Sequence, residues 1–102
     1  MGYIMFEIVQ TDAFTRWLSG LRDSKARTRI QARIDRLALG NPGDVKPVGS
    51  GVSEMRIDYG PGYRVYFFRR NRMMIVLLAG GDKRSQQKDV ARAIELARSD
   101  KE

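Results

Sequence analysis

The residues best equipped for chemistry lie in RIDYGPGYRVYFFRR, residues 56–70, and in GGDKRSQQKD, residues 80–89, of a chain that has neither histidine nor cysteine. Arg56 and Arg64 bring guanidinium groups, planar forks that grip two oxygens of a phosphate or carboxylate and keep their protons, so they stabilise negative charge and serve poorly as bases. Like-charge repulsion eases proton loss from an ammonium group, which makes Lys83 or Lys46 the candidates for moving a proton. The Glu54 carboxylate is another candidate base. Tyr66 offers a ring on which a base can stack, or a hydroxyl as acid.

These side chains are useful together only if one surface carries them. Side chains on a strand alternate between two faces. With Gly60-Pro61-Gly62 as a three-residue loop, Tyr59 is expected to face Tyr63, and Asp58 to face Arg64 as an ion pair across the hairpin. The odd positions Met55, Ile57, Tyr59, Tyr63, Val65 and Phe67 then form an apolar face directed to the core. The even positions Glu54, Arg56, Asp58, Arg64, Tyr66, Phe68 and Arg70 form a mixed face of cations and aromatics. A two-residue loop would mix the two sets, so the pattern itself favours an odd loop.

Composition narrows the setting. At 102 residues the chain is expected to be a single domain over residues 1–102, burying roughly 65% of its unfolded surface. Nineteen Lys and Arg against twelve Asp and Glu give a net charge of +7, which favours a polyanionic partner, nucleic acid or an acidic protein. The lack of cysteine excludes a disulfide framework or a thiolate metal site. No apolar run reaches the roughly 18 residues of a membrane span, and the N-terminus does not read as a signal peptide. A cytoplasmic protein with no membrane association is the expectation.

The elements that must position the hairpin follow from periodicity. Residues 3–9 read as a first strand. Thr11 or Asp12 caps a helix carrying Phe14, Trp17, Leu18 and Leu21, and a second helix aligns Ala26, Ile30, Ile34 and Leu37 before Gly40 stops it. Its other faces carry Lys25, Arg27, Arg29, Arg33 and Arg36, a solvated face or an extension of the basic footprint. VKPVG (45–49) reads as an edge strand because Pro47 cannot donate to a ladder. MMIVLLA (73–79) is apolar throughout, as a strand covered on both faces should be. Asp82 or Ser85 caps a last helix with Val90, Ala93, Ile94 and Ala97 on one side. The order βααββββα defines an α+β fold, a mostly antiparallel sheet with the two N-terminal helices packed on one face.

In order and spacing, FTRWLSGLRD, ARTRIQARIDRLALGNPGD, VGSGVSEMRIDYGPGYRVYFFRR and IVLLAGGDKRSQQKD resemble the HigB-like addiction-module killer proteins of the RelE/ParE toxin superfamily, over residues 3–98. The resemblance implies a toxin of a bacterial type II toxin–antitoxin pair with a RelE-like fold. RelE and HigB members cut mRNA on the ribosome; ParE members poison DNA gyrase. It also implies a cognate antitoxin, in HigB systems a HigA-like helix-turn-helix protein, which would cover the hairpin face or bind the N-terminal helices.

Cutting RNA without a cofactor or metal requires the ribose 2′-OH to attack the adjacent phosphate, with a site that accepts a proton, stabilises the phosphorane and protonates the leaving oxygen. By resemblance Arg64, in the GYR motif, lines up with the phosphate-binding arginine of RelE-type toxins. Arg56 and Lys83 fall near other basic positions of that site. These three are the catalytic candidates, with Lys46, Tyr66, Arg84, Lys88 and Arg70 as RNA-binding positions. The sequence departs from the family pattern in having no histidine and no tyrosine after Tyr66; Gln86, Gln87 and Lys88 stand in that region, so the general acid is not assigned. A ParE-like gyrase inhibitor without nuclease activity, or a weakened toxin that mainly binds its antitoxin, are the other readings.

Overall fold

A computed structural model describes residues 5–100. Strand β1 (Glu7–Gln10) leads into helices α1 (Asp12–Gly20) and α2 (Ser24–Ala38). Four strands follow: β2 (Val45–Gly49), β3 (Val52–Ile57), β4 (Tyr63–Arg69) and β5 (Met74–Gly81). A 3-10 turn, Lys83–Ser85, then opens helix α3 (Gln86–Asp100). The five strands form one sheet in the order β1-β5-β4-β3-β2. Only β1 against β5 is parallel; the remaining pairs are antiparallel. The first strand is shorter than expected, and the part of the expected strand at residues 3–4 lies outside the described residues.

Local chemistry sets the helix boundaries. The Thr11 hydroxyl accepts from the Phe14 N–H at 3.0 Å and donates to the Leu78 carbonyl at 2.6 Å, so one side chain caps α1 and ties it to β5. Asp23 caps α2 through the Lys25 and Ala26 amides, which with the Tyr59 hydroxyl hold its carboxyl below the usual range. Ala26, Ile30, Ile34 and Leu37 are the buried residues of α2, the 3.6-residue stripe the sequence shows.

The sheet is covered on both sides. Against α1 and α2 lie Met55, Ile57, Val65, Phe67, Ile75 and Leu77, packed with Phe14 and Ile30. Against α3 lie Val52, Tyr66, Phe68, Val76, Leu78 and Ala79, packed with Ala93 and Ala97. The small residues Ala93 and Ala97, four apart, let α3 lie close to the strands. The even face of the hairpin is therefore not an open surface along its length. Helix α3 buries Tyr66 and Phe68 and leaves that face accessible at its two ends, where β3 finishes and β4 begins and at Arg70.

The hairpin keeps its predicted parity but not its predicted register. Ile57 pairs with Tyr63 and Arg56 with Arg64, so the connection runs through residues 58–62, and Asp58 is not opposite Arg64. The cause is Tyr59, whose hydroxyl donates to the Asp23 carboxylate at 3.0 Å and whose ring lies 4.7 Å beneath the Arg29 guanidinium. Drawn to α2, Tyr59 leaves the ladder. The shift is two residues, so each side chain keeps its face. In β5 a bulge leaves Leu78 without a place in the ladder, Tyr66 pairing with Ala79 and Phe67 with Leu77, and Leu78 and Ala79 both turn to the α3 side.

Candidate nucleic-acid interface

Register builds the site. One cross-strand row runs Lys46, Glu54, Tyr66, Ala79, and the next runs Arg56, Arg64, Gly81. Two arginines thus stand directly opposite each other on adjacent strands, an arrangement that by itself destabilises a sheet. Glu54 offsets it. Its side chain is 0% exposed, with Oε1 3.4 Å from Arg56 Nε and Oε2 3.7 Å from Arg64 Nε. Tyr66 Oη donates to the same Oε2 at 3.1 Å and Gln86 Nε2 at 2.9 Å. One buried carboxylate therefore gathers groups from β3, β4 and the first turn of α3.

The two arginines differ in access: the Arg56 side chain is 41% exposed and that of Arg64 11%. Arg64 is steadied by a bond from Nη1 to the Gly62 carbonyl at 3.2 Å. Gly62 has φ +81°, and a Cβ there would lie 3.7 Å from Lys83 Cβ and 3.8 Å from Arg64 Nη1. Lys83 therefore enters the cluster from the 3-10 turn. Asp82 fixes that turn, accepting from the Arg84 N–H at 2.8 Å in a capping box with Ser85. At Gly80 and Gly81 a side chain would collide with the Trp17 ring and the Asp89 carboxylate respectively, so α1 and α3 both press on the end of β5 that leads to Lys83.

Arg56 and Arg64 stand opposite each other on β3 and β4, and Lys83 lies beside Gly62, whose carbonyl Arg64 binds. Lys46 is exposed on the edge strand, in the row of Glu54. Arg84 and Lys88 are exposed and line a shallow depression with Ser85 and Gln87. Two positions need correction. Tyr66 is fully buried and has no ring face for a base; burial, and then the Glu54 charge, push its hydroxyl pKa well up, so it acts as a hydrogen-bond donor to Glu54. Arg70 sits at the opposite end of β4, where Nε pairs with Asp100 at 3.2 Å and holds down the end of α3.

Glu54 is a positioning group rather than an accessible base, a role set by its burial. Gln86, which stands in the region where the family pattern has an aromatic or histidine side chain, is a donor to Glu54 and supplies no acid. The α2 arginines are also less free than a charge count implies. Arg33 donates to the carbonyls of Arg56 and Pro42, and desolvation lowers its pKa; Arg27 donates to the Leu21 carbonyl. No cluster of three or more metal-ligating side chains occurs among the described residues, and no helix there is long and apolar enough to cross a membrane.

A sheet with βα-α entry, a C-terminal helix closing its second face and a basic cluster where β3 and β4 meet defines a RelE-like α+β protein. Residues 16–102 match the family model of the phage-derived protein Gp49-like proteins (DUF891), and the chain belongs to that RelE/toxin-like family. It is also 48% identical over 91 residues to an uncharacterized protein of Haemophilus influenzae (strain ATCC 51907 / DSM 11121 / KW20 / Rd), covering 89% of this chain and 92% of that one.

Proposed function

We propose that this chain is the toxin of a type II toxin–antitoxin pair and acts in the cytoplasm as a ribosome-dependent, metal-independent mRNA endonuclease that halts translation. The observation that carries the reading is the Arg56–Arg64 pair set across the ladder with the buried Glu54 carboxylate at ion-pair distance from both. For the fold alone, well-packed apolar residues would serve as well as a buried ionic cluster or better. Two guanidinium groups held side by side suit the non-bridging oxygens of a phosphodiester. As the 2′-OH attacks, Arg56 and Arg64 take up the growing charge. Lys46 on the β2 flank and Lys83 on the β5 flank are the proton carriers, one receiving the 2′-OH proton and the other supplying the 5′ leaving oxygen. The products are a 2′,3′-cyclic phosphate and a 5′-OH.

The partner in this reading is a HigA-like antitoxin encoded beside the toxin. The test is induction in a bacterium followed by mapping of mRNA 5′ ends. Ribosome-dependent cuts within translated frames are the expected result. DNA breaks with intact mRNA would replace this reading with a ParE-like gyrase poison, and neither lesion with antitoxin binding intact would leave an inactive toxin.

A further inference from the structure

The three large hydrophobic residues most exposed among the described residues are Met5 at 60%, Leu39 at 59% and Met73 at 58%. They belong to three different segments, yet the backbone brings them to one end of the molecule. The Phe6 N–H donates to the Ala38 carbonyl at 2.7 Å and the Glu7 N–H to the Met73 carbonyl at 2.7 Å. Met5 is thus next to the end of α2, where Leu39 is the cap, and next to the β4–β5 turn that carries Met73. An exposed apolar side chain standing alone is ordinary, whereas several meeting at one place mark a contact surface.

The surroundings are basic. Arg69 lies with its guanidinium 4.8 Å over the Phe6 ring and donates to the Arg72 carbonyl at 3.3 Å. Arg72 and Arg36 are exposed. The acids nearby are Glu7, Asp35 and Asp100; Asp35 accepts from Gln31 and Asp100 is held by Arg70, so the arginines outnumber the free carboxylates. Methionine ringed by arginine, with no lysine in the turn, has the composition of a protein–protein contact, in which Met and Arg are enriched and Lys is depleted.

We propose that this end of the sheet docks an acidic protein segment whose apolar side chains cover Met5, Leu39 and Met73 while its carboxylates meet Arg36, Arg69 and Arg72. Resting on the toxin–antitoxin reading, the inference makes that segment part of the antitoxin. Arg69 is five residues along β4 from Arg64, about 17 Å at strand spacing, so such a partner grips the chain without entering the basic cluster.

The experiment is co-expression of the chain with the product of the adjacent gene, and measurement of Kd for purified variants that retain the wild-type melting curve. Arg72→Glu with Met73→Asp should weaken the complex at least tenfold. Leu39→Ser, on a separate element, should weaken it several-fold and guards against a misfolded turn. Unchanged affinity in both, with loss in Lys83→Glu, overturns the inference in favour of a partner that covers the basic cluster. Binding of the wild type to phosphatidylserine vesicles, lost in the turn variant while the protein complex is unaffected, overturns it in favour of a lipid surface. No wild-type complex at all defeats the toxin–antitoxin reading, and this inference with it.

Discussion

The β3–β4 hairpin buries both of its faces and fills them differently. Toward α1 and α2 it presents Met55, Ile57, Val65 and Phe67, all apolar. Toward α3 it presents Phe68 and Tyr66, then Glu54 and Arg64. Burial therefore does not separate core from site; what separates them is whether each buried group has a partner. The first face gains stability from area, about 1.5–3 kcal/mol for each fully buried side chain, and any residue of the right shape contributes. The second depends on named pairs, and removal of one member exposes the cost of the others.

The sharpest way to break this comparison is Val65→Asp. An unpaired carboxylate in the apolar face should abolish cooperative unfolding in a thermal melt followed by circular dichroism. A normal melt would invert the assignment of the two faces. Next in size is Glu54→Ala, which leaves Arg56 and Arg64 facing each other without their counter-charge. A loss of about 3–5 kcal/mol is expected for breaking a buried pair, at the low end because Arg56 is partly exposed, read from denaturant unfolding. A loss below about 0.5 kcal/mol would show that Glu54 holds nothing together.

Tyr66→Phe should cost about 1–3 kcal/mol near neutral pH, because Glu54 loses a donor. It also carries a pH signature. The Tyr66 hydroxyl pKa is raised above its ordinary 10.0, so the unfolded chain releases this proton while the folded one retains it. The stabilisation is complete below pH 10 and is lost as pH rises beyond it. Unfolding free energies between pH 9 and 11 should fall less steeply in the variant. A residual slope is expected from Tyr59, whose bond to Asp23 also raises its pKa. The smallest effect on stability belongs to Lys83→Ala, no more than about 0.5 kcal/mol for an exposed side chain, with growth inhibition on induction lost. Inhibition at the wild-type level would remove Lys83 from the mechanism.

Much of this arrangement is legible in the residues. The α2 stripe, the parity of β3 and β4, and the doubly covered β5 all follow from periodicity, because burial on a fixed face leaves its mark at every turn or every second residue. The same alternation puts Arg56 and Arg64 on one face, though it does not put them opposite each other. The register of the hairpin does not, since the pull on Tyr59 comes from Asp23 and Arg29, more than thirty and twenty-five residues away in sequence. Parity in β5 reverses at the bulge, where Leu78 and Ala79 share a side, and an apolar run carries no trace of such a break. The face chosen by α3 decides that Tyr66 is buried and Arg64 nearly so, and its small contact residues Ala93 and Ala97 do not say which side of a sheet they will meet. The anchoring role of Arg33 is hidden for a related reason: an arginine on a helix looks the same in sequence whether it meets water or a distant carbonyl.

The pieces of the basic cluster also follow a timetable. Arg56 and Arg64 are joined early in synthesis, but Lys83 and Gln86 are added only after β5, and Gln86 supplies a donor on which the placement of Glu54 depends. Chains emerge N-terminus first, and a domain folds as a unit. Until β5 and the turn after it are made, a growing chain lacks the Leu78 carbonyl that ties α1 to the sheet, the turn that brings Lys83 beside Gly62 and the residue that fastens the carboxylate. The cations reach the outside of the ribosome well before the framework that aligns them, so the ribosome making this chain meets the assembled cluster only after the last helix has begun to leave it.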